Sequence, residues 1–266
     1  GFTWGNTVGN TKLQHETQKS FEVGTELRFL KNRIGLDLAY FRNINEDLLL
    51  FVPVASSTGY GQMYMNAATM ESKGFEVMLT ATPVKTKDLQ WDLSANFSRM
   101  RNPVTALADG VEDVFLGGFV DPQIRAVAGQ EYRTIYGYDY FRDADGGYLI
   151  NDDPNDGYLD GFPMTDESKM IPLGTVNPDW LANLTSTISY KGIGFSFLLD
   201  VKQGGLMYNG TRFTMNYFGT SLETENRDVA YNSDGSIDFA NTPAENLVVY
   251  SGTLGHVDAE GNAITS

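Results

Sequence analysis

The sequence Phe21-Glu22-Val23-Gly24-Thr25-Glu26-Leu27-Arg28-Phe29 alternates two kinds of side chain. Its odd-numbered residues are apolar or Thr, whereas its even-numbered residues are charged or Gly, and a period of two indicates a β-strand with two unlike faces. After Lys31-Asn32-Arg33, the alternation resumes in Ile34-Gly35-Leu36-Asp37-Leu38-Ala39-Tyr40. The two segments therefore predict a β-hairpin with a very short turn.

The same unit occurs twice more along the chain. A second alternating segment begins at Phe75, turns at residues 83–88 and resumes at Leu89. A third begins at Trp180 and resumes after the dipeptide Lys191-Gly192. The predicted hairpins occupy about residues 18–43, 73–100 and 178–203.

The connections between these strands alternate in length. The hairpin turns are short, whereas long loops are predicted at about residues 44–72, 102–177 and 204–266. A transmembrane barrel has short periplasmic turns at one rim and long extracellular loops at the other. A soluble β-sandwich does not segregate its connections in this way. The pattern predicts an all-β fold, namely a segment of an antiparallel transmembrane β-barrel.

The composition agrees with a large β-structure and excludes several classes of protein. The chain of 266 residues has 28 Gly, 14 Tyr, 16 Phe and no Cys, which excludes a disulfide-stapled scaffold. It has no apolar run near the roughly 20 residues that a spanning helix needs. Its 34 acidic residues outnumber 19 basic ones, so nucleic acid is not expected as a partner.

No residue pattern predicts an enzyme. The two histidines, His15 and His256, stand far apart, and neither has a Cys or a carboxylate at a ligand spacing. Nucleophile-elbow and phosphate-loop motifs are also missing from the sequence. We therefore expect no catalytic residues and no cofactor.

Several short motifs, taken in order, resemble the last third of SusC/RagA proteins, which are TonB-linked outer-membrane transporters. The matching segments include Lys73-Gly74-Phe75-Glu76, Trp91-Asp92-Leu93-Ser94-Ala95-Asn96-Phe97-Ser98, Gly129-Gln130 with Tyr132, and Gly174-Thr175-Val176-Asn177-Pro178-Asp179-Trp180. The resemblance extends from about residue 13 to about residue 227. Each motif is weak alone, but their order and spacing together are specific.

The resemblance implies a function and a set of partners. Members of this family are bacterial outer-membrane barrels that import glycans or peptides with energy relayed by TonB, and a SusD-like surface lipoprotein covers their extracellular loops. By this comparison, residues 1–266 are one partial barrel domain. The plug domain and the TonB-contacting N-terminal part are expected to be absent from it.

A second interpretation remains open from the residues themselves. The alternating apolar residues can also be buried between two sheets, as in a secreted, soluble β-sandwich that binds carbohydrate. In the barrel, the apolar face contacts outer-membrane lipid instead. On that interpretation the residues predicted to face lipid on the last strand are Phe195, Phe197, Leu199 and Val201.

The acidic loop at residues 102–177 contains the candidate site residues. Its aromatic side chains are predicted to contact the ligand or the lid, although such residues also pack loops upon themselves: Tyr132, Tyr136, Tyr138, Tyr140, Phe141, Tyr148 and Tyr158. Asp143, Asp145, Asp152 and Asp153 offer oxygen ligands that suit calcium. The spacing differs from that of an EF-hand, and a solvated loop with Asx and Gly turns is the alternative.

Overall fold

The structure is a computed structural model that describes residues 5–153, 161–226, 229–233, 235, 238, 241–243, 250–258 and 262–265. Strands dominate it. They are β1 Thr7–Val8, β2 Thr17–Phe29, β3 Ile34–Pro53, β4 Gln62–Lys85, β5 Leu89–Arg101, β6 Val104–Leu107, β7 Asp113–Gly118, β8 Gln123–Val127, β9 Thr134–Tyr140, β10 Tyr148–Asn151, β11 Thr165–Thr175, β12 Trp180–Tyr190, β13 Ile193–Gln203, β14 Gly252–Val257 and β15 Ala263–Thr265. The described residues also form one α-helix, α1, which spans Gly210–Tyr217. In the described part of the chain, no helix has the length and apolar content required to cross a membrane.

By its contacts the chain divides into two compact units. The first comprises residues 1–136 and 172–206, and the second comprises residues 137–171 and 207–266.

The first unit is built on one sheet with the strand order β13-β12-β5-β4-β3-β2. All pairs along this order are antiparallel. The three short turns consequently lie at one end of the strands, as the connection lengths predict. Two of these turns are joined by a hydrogen bond, which the Lys191 amide donates to the Asp88 carbonyl at 2.9 Å. Lys191 and Gly192 both have positive φ, 45° and 88°, which a two-residue hairpin turn requires.

The register gives this sheet two chemically distinct faces, because directly paired residues lie on the same face. One row across all six strands is apolar: Leu27, Leu36, Leu79, Ala95, Leu184 and Leu199. The adjacent row, one residue away on each strand, is mainly polar: Glu26, Asp37, Met78, Asn96, Asn183 and Asp200. The alternation in the sequence thus becomes a separation of surfaces.

The first predicted long loop, residues 44–72, is mostly strand. β3 continues to Pro53 and β4 already begins at Gln62, so only a short connection with a 3-10 turn at Ser56–Thr58 remains. The register shifts around Leu48, where the two-residue alternation is interrupted. A bulge of this kind bends a strand and changes the faces that follow, and this explains why the alternation in sequence ends before the strand does.

The strand extensions form a small apolar core with segments of the second predicted loop. Its buried members are Val52, Ala67, Met70, Val104, Val114 and Ala126, which we call the rim core. The predicted loop at residues 102–177 is therefore not irregular, since it contains β6 to β11. Within it, β8 pairs with both β7 and β9 in antiparallel fashion.

The second unit has its own sheet, in which β14 pairs in parallel with β10 and in antiparallel fashion with β15. Leu149 and Met164 are almost fully buried here, at 0% and 1% exposure. Part of the third predicted long loop, residues 204–266, likewise contains α1, β14 and β15. Helix α1 begins after Asn209, whose side chain accepts a hydrogen bond from the Arg212 amide at 2.9 Å.

Candidate functional site

The apolar face of the six-stranded sheet carries an aromatic stack near the end of the strands opposite the short turns. The ring of Phe97 lies 5.7 Å from that of Phe75 and 5.8 Å from that of Trp180, both in stacked orientation. These rings come from β5, β4 and β12, so the sheet register brings them together. Aromatic residues of this kind flank the apolar band of membrane barrels.

The four residues predicted to face lipid all lie on this apolar face, at the end strand β13. Their exposed fractions are 63% for Phe195, 39% for Phe197, 55% for Leu199 and 45% for Val201. Leu198, which interrupts the alternation in the sequence, lies on the opposite face, where it pairs with Thr185.

One polar residue on the apolar face is not apparent from the alternation. Ser186 pairs with Phe197 and is only 3% exposed. Its hydroxyl accepts a hydrogen bond from the Trp91 indole N–H at 3.0 Å, so the two polar groups satisfy each other. The signal in the sequence is a Trp on one strand and a Ser near it on the next, which becomes visible only once the register is known.

The polar face holds hydrogen bonds between neighbouring strands. The Asn96 amide donates to the Asn183 side-chain oxygen at 2.9 Å. Closer to the turns, Arg28 contacts Asp37 and Glu26, each at 2.7 Å. Glu22, Glu76, Asp200 and Lys202 share this face. This surface suits contact with water and polar solutes.

Tyr132 and Tyr136 help to hold the fold together. Tyr136 is 8% exposed, with the Arg125 guanidinium 5.8 Å from its ring centre, and burial raises the pKa of its phenol. Tyr132 packs against the rim core, and its carbonyl accepts a hydrogen bond from Asn177 at 3.2 Å. These two aromatics are placed to pack the loop.

Four of the remaining candidates lie in the second unit. The rings of Tyr140 and Tyr148 meet edge to face at 5.2 Å, and the Arg142 guanidinium lies 4.9 Å from the Tyr148 ring centre. Both tyrosines are exposed, at 43% and 38%. Phe141 is half-buried, and Tyr138 lies on β9 just before them. Tyr158 lies outside the described residues.

The acidic turn after Phe141 is held by the carboxylate of Asp143. This group accepts hydrogen bonds from the Asp145 and Gly147 amides at 3.0 and 2.8 Å, and also from the Thr253 hydroxyl of β14. These hydrogen bonds hold the pKa of Asp143 below its ordinary value. The bond from the Thr253 hydroxyl has the largest effect, and the bond from the Gly147 amide has the second largest.

The four aspartates proposed for calcium do not form one cluster. Asp152 lies beside β14, where its amide donates to the Gly255 carbonyl at 3.0 Å, and the Asp153 amide donates to the Asn151 side chain at 3.3 Å. Among the described residues, no group of three or more His, Cys, Asp or Glu side chains is placed to hold a metal ion. Calcium binding by this loop remains a prediction.

The sequence matches a known family over most of its length. The model described as "TonB dependent receptor-like, beta-barrel" matches residues 1–252. The chain belongs to this family. Its barrels lie in the bacterial outer membrane, and the chain is accordingly an outer-membrane protein. This assignment sets aside the soluble β-sandwich alternative.

Curated relatives support the resemblance stated from the sequence. TonB-dependent receptor P26 of Formosa agariphila is 28% identical over an alignment of 250 residues that covers 85% of this chain and 24% of that protein. TonB-dependent receptor SusC of Bacteroides thetaiotaomicron is 30% identical over an alignment of 214 residues that covers 75% of this chain and 20% of that protein. The chain thus spans a quarter or less of the length of these relatives.

A solved structure has the same fold. The RagAB peptide transporter matches with a TM-score of 0.62 at 20% identity, covering 87% of this chain and 27% of that one. The all-β fold and the SusC/RagA resemblance are confirmed by these comparisons.

Proposed function

We propose that this chain forms a section of the barrel wall and outer loops of a TonB-dependent transporter that imports nutrient oligomers, either glycans or peptides. The observation that carries the proposal is the division of one antiparallel sheet into a contiguous apolar face and a hydrogen-bonded polar face. A closed barrel places the first against lipid and the second around a polar lumen. In this assignment Phe195, Phe197, Leu199 and Val201 contact lipid.

The wall has a positioning role and carries out no bond chemistry. Polar side chains such as Asn96 and Asn183 satisfy each other, so the lumen surface is fixed in shape. Ligand capture falls to the outer loops, and in this proposal a SusD-like lipoprotein covers them as a lid. Admission of the ligand then depends on the plug and on TonB, which contacts a part of the protein N-terminal to this chain.

The charge of the loops narrows the class of nutrient. Residues 102–177 contain fourteen acidic residues but only Arg125, Arg133, Arg142 and Lys169 as bases. Their negative field disfavours anionic ligands within roughly 8 Å at about 0.15 M salt. Neutral glycans and cationic peptides fit this field, and RagAB, which has the same fold, is a peptide transporter.

The test is an uptake assay with the full-length protein in its own membrane. Labelled neutral oligosaccharides, cationic peptides and anionic peptides are offered to cells with and without TonB. We expect TonB-dependent uptake of a neutral or cationic oligomer, together with co-purification of a surface lipoprotein. Uptake that persists without TonB, or a preference for anionic oligomers, contradicts the proposal.

A further inference from the structure

The apolar face of the six-stranded sheet ends in a row of cations at the end of the strands opposite the short turns. Arg42 on β3 is directly paired with Lys73 on β4, and Lys73 is directly paired with Arg101 on β5. Arg99 lies two residues before Arg101 and is paired with Phe75. We call Arg42, Lys73, Arg99 and Arg101 the basic row. All four share a face with Tyr40, Phe75 and Phe97 because side chains two residues apart point to the same side.

The carboxylates of the chain only partly neutralise this row. Glu71 contacts both Arg42 and Lys73, at 2.9 and 3.2 Å, and Asp179 contacts Arg101 at 2.8 Å. Among the described residues, four cations thus face two carboxylates. In the described portion of the chain, no carboxylate oxygen lies within ion-pair distance of the exposed Arg99 guanidinium. Like charges placed opposite each other on neighbouring strands repel, so an external anion is favoured here.

The position of the row along the strands corresponds to the surface of a membrane. Strand β12 has eleven residues, from Trp180 to Tyr190, which is the length of one tilted crossing of the hydrocarbon layer. The Phe75–Phe97–Trp180 stack marks the upper end of this span, and the basic row begins there. The long connections leave the sheet at this same end of the strands. Because the long loops of a membrane barrel are extracellular, this end faces the outer leaflet.

Arg99 lies beside the aromatic stack at this level. It is exposed and directly paired with Phe75, and Phe97 lies two residues before it on the same face. A guanidinium beside apolar and aromatic surface suits an amphiphile that carries a phosphate. Arg is well matched to phosphate because its planar fork donates two parallel hydrogen bonds.

We propose that the basic row binds the phosphate groups of lipid headgroups in the outer leaflet, with Arg99 as the principal contact. Basic groups at the level of the headgroups commonly recognise anionic lipids in this way. The inference rests on the same orientation of the wall as the proposed function, but it is independent of the imported substrate.

The test uses the full-length transporter in nanodiscs of phosphatidylcholine that contain either lipid A or dephosphorylated lipid A. Native mass spectrometry counts the lipids that each protein retains. The test variant combines Lys73→Gln with Arg99→Gln, and the control combines Arg28→Gln with Lys202→Gln, which removes the same charge from the polar face. We expect the wild type and the control to retain lipid A in preference to its dephosphorylated form. The test variant should retain several-fold less.

A second measurement needs no variant and therefore does not depend on whether one folds. Acetylation of Lys73 in the wild type should be slower with lipid A than with dephosphorylated lipid A, whereas the rate at Lys202 should not change. Equal retention by test and control variants, or equal labelling of Lys73 in the two lipids, overturns the proposal. Displacement of lipid A by excess inorganic phosphate identifies a free-anion site and also overturns it. Uptake is measured in parallel, so loss of lipid binding with normal uptake is distinguished from failure of the transport proposal.

Discussion

The side-chain hydroxyls of Thr187 and Ser196 lie 2.9 Å apart on the polar face of the β12–β13 hairpin. Phe197, the next residue, belongs to the opposite face, where its ring centre is 6.0 Å from that of Phe195. One step along the strand thus exchanges a hydrogen-bonded surface for an apolar one. The two neighbours form a natural matched pair for testing which face contacts lipid.

Arginine introduced at these two positions is expected to have unequal effects. Phe197→Arg places a charge on the apolar face and should destabilise the folded barrel by about 2–4 kcal/mol, the cost of Arg near the middle of the bilayer. Ser196→Arg places it toward water and should cost far less. The measurement is a folding titration of the full-length protein in lipid vesicles. Equal losses at the two sites would show that the face assignment is wrong.

The rim core is expected to hold the outer segments in place. Val104 is fully buried, so Val104→Ala should reduce local stability by about 1–3 kcal/mol through lost burial and a residual cavity. Val120→Ala is the control, because Val120 is 83% exposed. Hydrogen exchange of the β6 and β8 amides in the full-length protein reports the change. Similar exchange in both variants would mean that the rim core does not stabilise these strands.

The hairpins are readable from the sequence because each residue faces one of only two environments. Leu79 and Asn96 follow the alternation of their strands, and the structure places them on the expected faces. The same physical rule fails between Leu48 and Val52, where β3 is bulged and every residue is apolar. A run without period two does not distinguish a loop from a strand whose two sides are both covered.

The rim core lay beyond sequence analysis for a different reason. Val52, Met70, Val104 and Val114 are brought together from separated segments, and no local pattern specifies which of them meet. For the same reason Tyr136 and Tyr140 look alike in the sequence. Only the packing shows that the first is buried and the second exposed.

The turn that Asp143 holds is expected to loosen in acid. The pKa of Asp143 is lower in the folded state than in the unfolded state, so its ionised carboxylate stabilises the turn at pH values above the unfolded-state pKa of about 3.9. This stabilisation is lost as the pH falls through the lower folded-state pKa. Exchange of the Gly147 amide should therefore increase below about pH 4, beyond its intrinsic dependence on pH. NMR or mass spectrometry of the full-length protein can follow it.

Two substitutions separate this effect from a general acid effect. Asp143→Asn should remove the pH dependence, because an amide does not titrate in this range. Asp145→Asn should leave it unchanged, because the Asp145 carboxylate is exposed and holds no amide of the turn. A pH profile that is the same in Asp143→Asn and the wild type would refute the role given to this carboxylate.

The exposed Tyr140–Tyr148 pair is expected to contact the nutrient or the lid. Tyr rings offer large, rigid contact area, and they are frequent at the energetic centres of interfaces. The pair is also fixed in place, because the Arg142 guanidinium lies over the Tyr148 ring and contacts Asp139 at 3.1 Å. Replacing both tyrosines by Ala should weaken binding of the partner roughly tenfold, which corresponds to about 1.4 kcal/mol. The readouts are the dissociation constant of the lid lipoprotein and the rate of uptake in cells.

Tyr190→Ala is the matched control for this double variant. Tyr190 is also an exposed aromatic beside a cation, with the Lys191 ammonium 5.4 Å from its ring centre. It lies, however, at the end of the strands that carries the short turns. The control should leave both readouts unchanged. If uptake falls in the double variant while lid binding is kept, the rings contact the nutrient; if lid binding falls as well, they contact the lid. Unchanged uptake and unchanged lid binding would show that the aromatic pair only packs the loop, and the assignment of Tyr140 and Tyr148 as contact residues would then be wrong.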